Sequence, residues 1–233
     1  DSLMLRGVDN NKDQTYFLCQ LNQSQLQSSL FPIGELTKPE VRKLAEDLNL
    51  PVAHKKDSTG ICFIGERDFR EFLKNYIPAK NGHMVDIQTK QIVGEHQGIM
   101  YYTIGQRKGL NIGGPGDAWF VVGKEYDENI LYVCQGDQND WLMSEGALIT
   151  DVNWISSLRP EDDFTCTAKF RYRQKDNDVS VHFVDETTIY VTFKQPIKAV
   201  TPGQAAVFYN ADVCLGGGTI EKVYKDQKEI TYL

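Results

Sequence analysis

The sequence has no Cys-x-x-Cys or His-x-x-His pair, and its five cysteines, Cys19, Cys62, Cys134, Cys166 and Cys214, are odd in number and widely spaced. Zinc sites are built on such close pairs, so no metal is expected in this chain. A disulfide scaffold is out of place in a chain of 233 residues, because such scaffolds staple domains too small to form a core. Reduced thiols in a cytoplasmic protein are the simplest expectation. No apolar run approaches the roughly 18–20 residues that cross a bilayer, so no membrane is expected as a partner. The start, Asp-Ser-Leu-Met-Leu-Arg, lacks the basic and apolar regions of a signal peptide. Position 1 is Asp rather than Met, and the chain is expected to be cut from a longer one. An excess of positive charge is missing too: the net charge is −7. That balance argues against a uniformly basic nucleic-acid binder, but a local basic face suffices to hold phosphates.

What is present is ordinary in amount and uneven in texture. The hydrophobic fraction is 41% and the charged fraction 24%, enough for a core and close to average for globular chains. The first third reads as mixed α and β. Gln14–Leu21, rich in Tyr, Phe and Leu, reads as a short strand. Asn22–Ser29 is Gln/Ser-rich and compatible with a polar helix. Thr37-Lys-Pro-Glu40 opens a helix: Thr37 and Glu40 make a capping box, and Pro39 sits in the first turn. Val41, Leu44, Ala45 and Leu48 then give one apolar stripe. A second helix is predicted from Glu66 to about Tyr76, stopped by Pro78.

Beyond Pro78 short β-type runs alternate with turn clusters: Trp119–Val122, Ile130–Cys134, Ala168–Tyr172, Val179–Phe183, Ile189–Phe193 and Ala205–Tyr209. Asp127–Asn129 and Asp185–Thr187 read as hairpin turns, and Trp141–Gly146 as a seam between modules. Regular spacing of this kind points to small antiparallel barrels or sandwiches.

Five segments carry chemistry-bearing residues. Cys62 lies in Asp57-Ser-Thr-Gly-Ile-Cys-Phe-Ile-Gly65, just before the second predicted helix, with His54, Lys55 and Lys56 nearby. A helix start and neighbouring cations lower a thiol pKa; a buried, inert thiol beside Ile61 and Phe63 competes with that reading. Asn11-Lys-Asp-Gln14 can hold phosphate or ribose, or be a solvated turn. Gly105–Gly116 holds two cations and five glycines, either a phosphate-approaching loop or a long hairpin loop. It matches neither the P-loop nor the dinucleotide fingerprint. Strand alternation in Lys169-Phe-Arg-Tyr-Arg-Gln174 places Lys169, Arg171 and Arg173 on one face, facing RNA or paired carboxylates. Val200–Tyr209 and Val213–Thr219 read as a Pro-Gly turn feeding a strand, and a strand entering a glycine bulge.

Six segments in order, Lys12–Leu18, Asp57–Arg67, Gly94–Gly98, Gly105–Gly109, Arg171–Gln174 and Thr201–Ala205, resemble the bacterial tRNA-specific 2-thiouridylases, with a match running from about Leu5 to Glu221. The resemblance implies thiolation at position 2 of the wobble uridine in tRNAs for Lys, Glu and Gln. ATP adenylates the C2 oxygen, and a cysteine persulfide supplies sulfur received from an upstream donor, a cysteine desulfurase or a relay protein. It implies that Cys62 is the persulfide cysteine. It implies further that Lys12, Asp13, Gln14, Arg171, Tyr172 and Gln204 contact tRNA. The family's second cysteine, which pairs in a disulfide with the persulfide cysteine, and its ATP loop lie upstream in the family pattern. No Ser-Gly-Gly-x-Asp-Ser loop occurs in these residues, so the chain alone is expected to be inactive.

The expected fold is mostly β, of the α+β class. Residues 1–67 form the C-terminal remnant of an α/β nucleotide-binding domain that lacks part of its sheet. Residues 68–143 form a small β-rich central domain, and 144–233 an antiparallel β-barrel that contacts tRNA. Two other readings remain open: a non-catalytic RNA-binding β-barrel module of translation-factor type, and a module that docks sulfur-relay proteins.

Overall fold

A computed structural model describes residues 1–57, 72, 75–156, 160 and 163–232. Cys62 and most of the second predicted helix lie outside the described residues. The described chain is mostly β and falls into two units, residues 1–53 with 143–230, and 54–142 with 231–233. The expected segments 1–67, 68–143 and 144–233 divide the chain differently at the N-terminal end, where residues 1–53 group with the barrel strands.

In the first unit the chain opens with strand β1 (Met4–Leu5), a 3-10 turn at Thr15–Leu18, helix α1 (Gln23–Gln27) and helix α2 (Lys38–Asp47). The segment Gln14–Leu21, expected as a strand, is therefore a turn of helix and a bend. Its cause is Asp13, whose carboxylate accepts from the N–H of Gly7 (3.1 Å) and of Thr15 (3.2 Å) and from the Thr15 hydroxyl (2.8 Å). Side-chain bonds of this kind compete with a strand ladder and curl the backbone. Helix α1 is capped by Asn22, which accepts from the Gln25 N–H while the Gln25 side chain accepts from the Asn22 N–H. In α2 the Glu40 carboxylate accepts from both the N–H and the hydroxyl of Thr37, each at 2.7 Å. The stripe predicted on α2 is present but only partly covered: Val41 and Ala45 are half-buried, Leu44 and Leu48 are 47% and 61% exposed, and no residue of the helix is fully buried.

Within the second unit, β2 (Gly82–Asp86), β3 (Ile92–His96), β4 (Trp119–Glu125) and β5 (Ile130–Gln135) form one sheet in the order β3-β2-β5-β4. Strands β2 and β5 run parallel at its centre, and hairpins flank them. Val121, Val122, Leu131 and Val133 are fully buried there. His96 is buried, its Nε2–H donating to the Asn129 carbonyl (3.0 Å) and its Nδ1 accepting from the Gly98 N–H (3.2 Å). The second bond requires a neutral ring, since a protonated Nδ1 cannot accept.

The remaining strands, β6 (Met143–Trp154), β7 (Phe164–Lys169), β8 (Asn177–Phe183), β9 (Ile189–Lys198), β10 (Ala205–Asn210) and β11 (Val213–Lys225), lie in the order β11-β10-β7-β8-β9-β6. Pairing of β11 with β6 closes them into a six-stranded antiparallel barrel. A short β12 (Lys228–Glu229) pairs with the end of β11, and β1 with its start. The alternation that marked these strands in the sequence is obeyed: Val179 and Val181, Ile189 and Val191, point inward, while Asp178, His182 and Thr192 point out. The run Ala168–Tyr172 departs from it. The strand ends at Lys169, and the next four residues turn, closed by a bond from the Phe170 N–H to Gln174 Oε1 (2.8 Å). Lys169, Arg171 and Arg173 therefore do not share a strand face.

Closure depends on Gly216, Gly217 and Gly218. Gly216 has φ +141°, and a Cβ there would overlap the carbonyl oxygen of Asn153 on β6. At Gly217 a Cβ would lie 2.6 Å from the Ala206 carbonyl and 3.0 Å from Cys19 Sγ. Asn153 also donates from Nδ2 to the carbonyls of Cys19 and Leu21, both at 3.0 Å. The same crossing thus closes the barrel and seats the N-terminal segment on it. Met4, Tyr16, Cys19 and Leu26 pack there with Ile155, Val207, Tyr209 and Cys214.

Two outcomes follow from these contacts. Gly216→Ala lowers the unfolding free energy by about 3 kcal/mol in urea titration, through steric overlap at a positive φ; a loss under about 0.5 kcal/mol contradicts the close approach. Burial holds the His96 pKa below its ordinary value. Stability from this group is therefore complete above the unfolded-state value of about 6.5 and declines as pH falls below it. Thermal unfolding followed from pH 7.5 to 5 shows that decline, and His96→Gln flattens it.

Candidate functional site

Three segments far apart in sequence meet on the first unit: residues 12–17, the turn after β7, and the turn before β10. Their meeting follows from the fold. The Asp13 carboxylate, 6% exposed, holds the first segment in its bend. The second is the turn that Gln174 closes. In the third, Pro202 and Gly203 (φ +80°) turn the chain into β10, with the Gly203 N–H donating to the Ile220 carbonyl at 2.8 Å.

Side chains then join the segments. Gln14 Nε2 donates to the Tyr172 hydroxyl at 2.7 Å. Arg171 Nη2 donates to Thr201 Oγ1 at 3.2 Å, and the Thr201 hydroxyl donates to the Ala199 carbonyl at 3.0 Å. The Tyr16 hydroxyl donates to the Ala205 carbonyl at 2.8 Å. Burial pushes the Tyr16 phenol up to about 12, so it stays a donor at neutral pH. Arg171 is half-buried; burial pulls its pKa down, with the nearby Tyr16 opposing. Tyr16, Phe17 and Tyr172 form one aromatic group, with ring centroids 4.5 Å apart for Phe17–Tyr172 and 5.5 Å for Tyr16–Phe17.

Of the six residues expected to contact tRNA, Lys12, Gln14 and Gln204 are exposed, and Arg171 and Tyr172 half-buried, on these three segments. Asp13 differs in kind. Its side chain is buried and satisfied from within, so its part is to hold Lys12 and Gln14 in place. Sequence reasoning missed Tyr16, Phe17 and Thr201. All three lie within the ordered motifs, but 14–21 read as a strand gave its aromatics no role; the adjacency of Tyr16 and Phe17 was the available sign that one of them faces out.

Arg6 buttresses the arrangement. Its guanidinium meets Asp176 in a two-pronged pair (2.9 and 3.1 Å) and lies 3.7 Å from the Tyr209 ring centroid. The Tyr209 hydroxyl in turn lies 3.3 Å from the Thr15 hydroxyl. With side-chain exposures of 10% and 35% for Arg6 and Asp176, the pair is only partly open to solvent.

The glycine-rich loop belongs to the second unit. Gln106 braces it, accepting from the Thr103 N–H (3.0 Å) and donating to the Lys108 carbonyl (2.9 Å). An open cavity of about 280 Å³ lies along it, lined by Arg107, Asn111 and Asp117 among others.

Cys19, Cys134, Cys166 and Cys214 form no disulfide. Burial pushes Cys166 and Cys214 up to about 12 and also raises Cys19. Among the described residues no group of three His, Cys, Asp or Glu side chains is placed to hold a metal ion. No described helix is long and apolar enough to cross a membrane. Helix α2 presents the Glu40 carboxylate at its N-terminus, and α1 fills its own with Gln25.

Comparison with known proteins gives three consecutive family matches: a tRNA methyl transferase HUP domain over residues 1–66, a tRNA methyl transferase PRC-barrel domain over 70–135, and an aminomethyltransferase beta-barrel domain over 144–220. Among curated relatives, the tRNA-specific 2-thiouridylase MnmA of Bacillus cytotoxicus is 58% identical over 230 residues, 99% of this chain and 62% of the relative. Those of Bacillus cereus and Bacillus mycoides are 57% identical over the same share. The chain thus spans about three fifths of the length of the relatives it matches.

Two measurements probe this geometry. Asp13→Ala leaves buried donors unpaired and costs about 2 kcal/mol in thermal or urea unfolding; an unchanged midpoint removes Asp13 from its organising place. Iodoacetamide at pH 7.5 leaves Cys19, Cys166 and Cys214 unmodified in the folded chain, since only thiolates react, and modifies them once urea unfolds it. Fast modification in the folded state contradicts the raised thiol pKa values and, for Cys19 and Cys214, their burial.

Proposed function

This chain belongs to the family of bacterial tRNA-specific 2-thiouridylases, and on that premise we propose that it serves 2-thiolation of the wobble uridine of tRNAs for Lys, Glu and Gln. In this reading Cys62 carries the persulfide, loaded by a cysteine desulfurase or a relay protein. Lys12, Gln14, Arg171, Tyr172 and Gln204 hold the tRNA, and Asp13 shapes the segment that bears two of them. Residues 1–67 are the C-terminal part of a nucleotide-binding domain; 68–143 and 144–233 are the central and barrel domains. ATP is bound by residues outside this chain, and the partner cysteine of Cys62 also lies outside it. The chain by itself therefore binds tRNA and accepts sulfur but makes no 2-thiouridine. Thiols that stay reduced suit the cytoplasm.

The observation that carries this reading is the convergence of segments 12–17, 171–172 and 201–205. Bonds between Gln14 and Tyr172 and between Arg171 and Thr201 tie together residues 158 and 30 positions apart. A cation, amides and aromatic rings on one surface are what RNA recognition uses: phosphate pairing, edge bonds and stacking.

Thiol chemistry separates this reading from a plain RNA-binding barrel. With a cysteine desulfurase and radiolabelled cysteine, the chain takes up reducible sulfur, and Cys62→Ser abolishes the uptake while tRNA affinity is unchanged. The alkylation pH profile of Cys62 has its midpoint below the free-thiol value of about 8.5. Sulfur uptake undiminished in Cys62→Ser removes the role given to Cys62.

A further inference from the structure

We infer that Phe17 and Tyr172 form a stacking platform for one unpaired RNA base, an extension that rests on the tRNA-binding function proposed above. Phe17 is 59% exposed although it neighbours two rings that could hide it. Tyr16 beside it is 7% exposed and tied by its hydroxyl to Ala205. Tyr172 is half-buried and held by Gln14. Phe17 lies over Tyr172 with centroids 4.5 Å apart and planes inclined by 44°, and meets Tyr16 edge-on at 89°. The outermost ring therefore stands on two rings whose own positions are fixed by hydrogen bonds.

Leaving a phenylalanine ring largely in water forgoes stabilisation that burial provides elsewhere in this unit. The surroundings specify the partner. The converging segments that carry these rings also carry polar groups: Arg171, bonded to Thr201, the exposed Gln204, and Lys12 on the bend that bears Phe17. A flat ring beside fixed donors and a cation suits a nucleobase on its phosphate backbone. Every base has a π-face, so such a ring accepts an unpaired nucleotide without reading its identity. Bases within a duplex are already stacked, so the ligand is a single-stranded segment of the tRNA. A platform fixed before binding loses little side-chain entropy on binding.

The test uses the 233-residue chain and unmodified tRNA transcripts in which unpaired nucleotides are replaced, one at a time, by fluorescent 2-aminopurine. At least one position is quenched on binding. Phe17→Leu, which keeps bulk and removes the ring, abolishes that quenching and weakens binding about tenfold or more, with the salt dependence unchanged. Phe17→Trp keeps both. Arg171→Gln lowers the slope of log affinity against log salt by about one. If Phe17→Leu binds and quenches as the unaltered chain does while Arg171→Gln weakens binding, stacking is refuted and the RNA surface stands. If neither substitution alters binding, the RNA surface itself is wrong and the platform with it. Should Phe17→Leu lower the melting temperature, Phe17→Trp decides: loss of quenching with a ring still present overturns the inference.

Discussion

The structure of the barrel unit depends on one close approach, that of β6 and β11 at Gly216–Gly218. Closing six strands requires the last strand to reach the first, and here backbone meets backbone with no room for a side chain. The same glycines leave space on the barrel for Cys19, and Asn153 at the crossing fixes the carbonyls of Cys19 and Leu21. An N-terminal segment that makes only a two-residue strand of its own is thereby docked by hydrogen bonds and by a small apolar cluster. That docking, with the bonds from Gln14 to Tyr172 and from Tyr16 to Ala205, holds Lys12, Gln14 and Phe17 beside Arg171 and Tyr172.

From this anchor the candidate site is built by short-range chemistry. Asp13 curls the chain, Gln174 closes the turn after β7, and the Pro202–Gly203 turn returns the chain to β10. Each device is local, yet each depends on the barrel to bring its segment near the others. This division explains what could be read from the sequence. Barrel strands announced themselves because one face of each is buried, so Val179 and Val181 or Ile189 and Val191 alternate with polar neighbours. Helix α2 announced itself through Thr37, Pro39 and Glu40. Segment 14–21 and the end of β7 did not, because Asp13 and Gln174 override the local preference of aromatic and β-branched residues for extended structure. No propensity records a side chain that bonds to a neighbour's backbone.

The candidate residues were legible in part for the same reason. Composition alone, with a net charge of −7, argued against RNA, because it averages over a surface where only a few cations matter. Ordered motifs pointed to the residues, and the fold supplied what motifs cannot: which of them share a surface and which support it. Asp13 and Phe17 belong to the same motif, yet Asp13 is buried beneath the surface and Phe17 is exposed on it. Burial raises the pKa of Cys19, Cys166 and Cys214, which the sequence already placed in strand-like or apolar runs.

The central claim is that three segments of the barrel unit act as one RNA surface. Hydrogen–deuterium exchange of the chain, with and without saturating unmodified tRNA, tests it most directly. The account predicts that amides in 12–18, 170–174 and 201–205 gain protection together, while the outer face of β8 and β9 is unchanged. Protection confined to one of the three segments, or centred on β8 and β9, contradicts it.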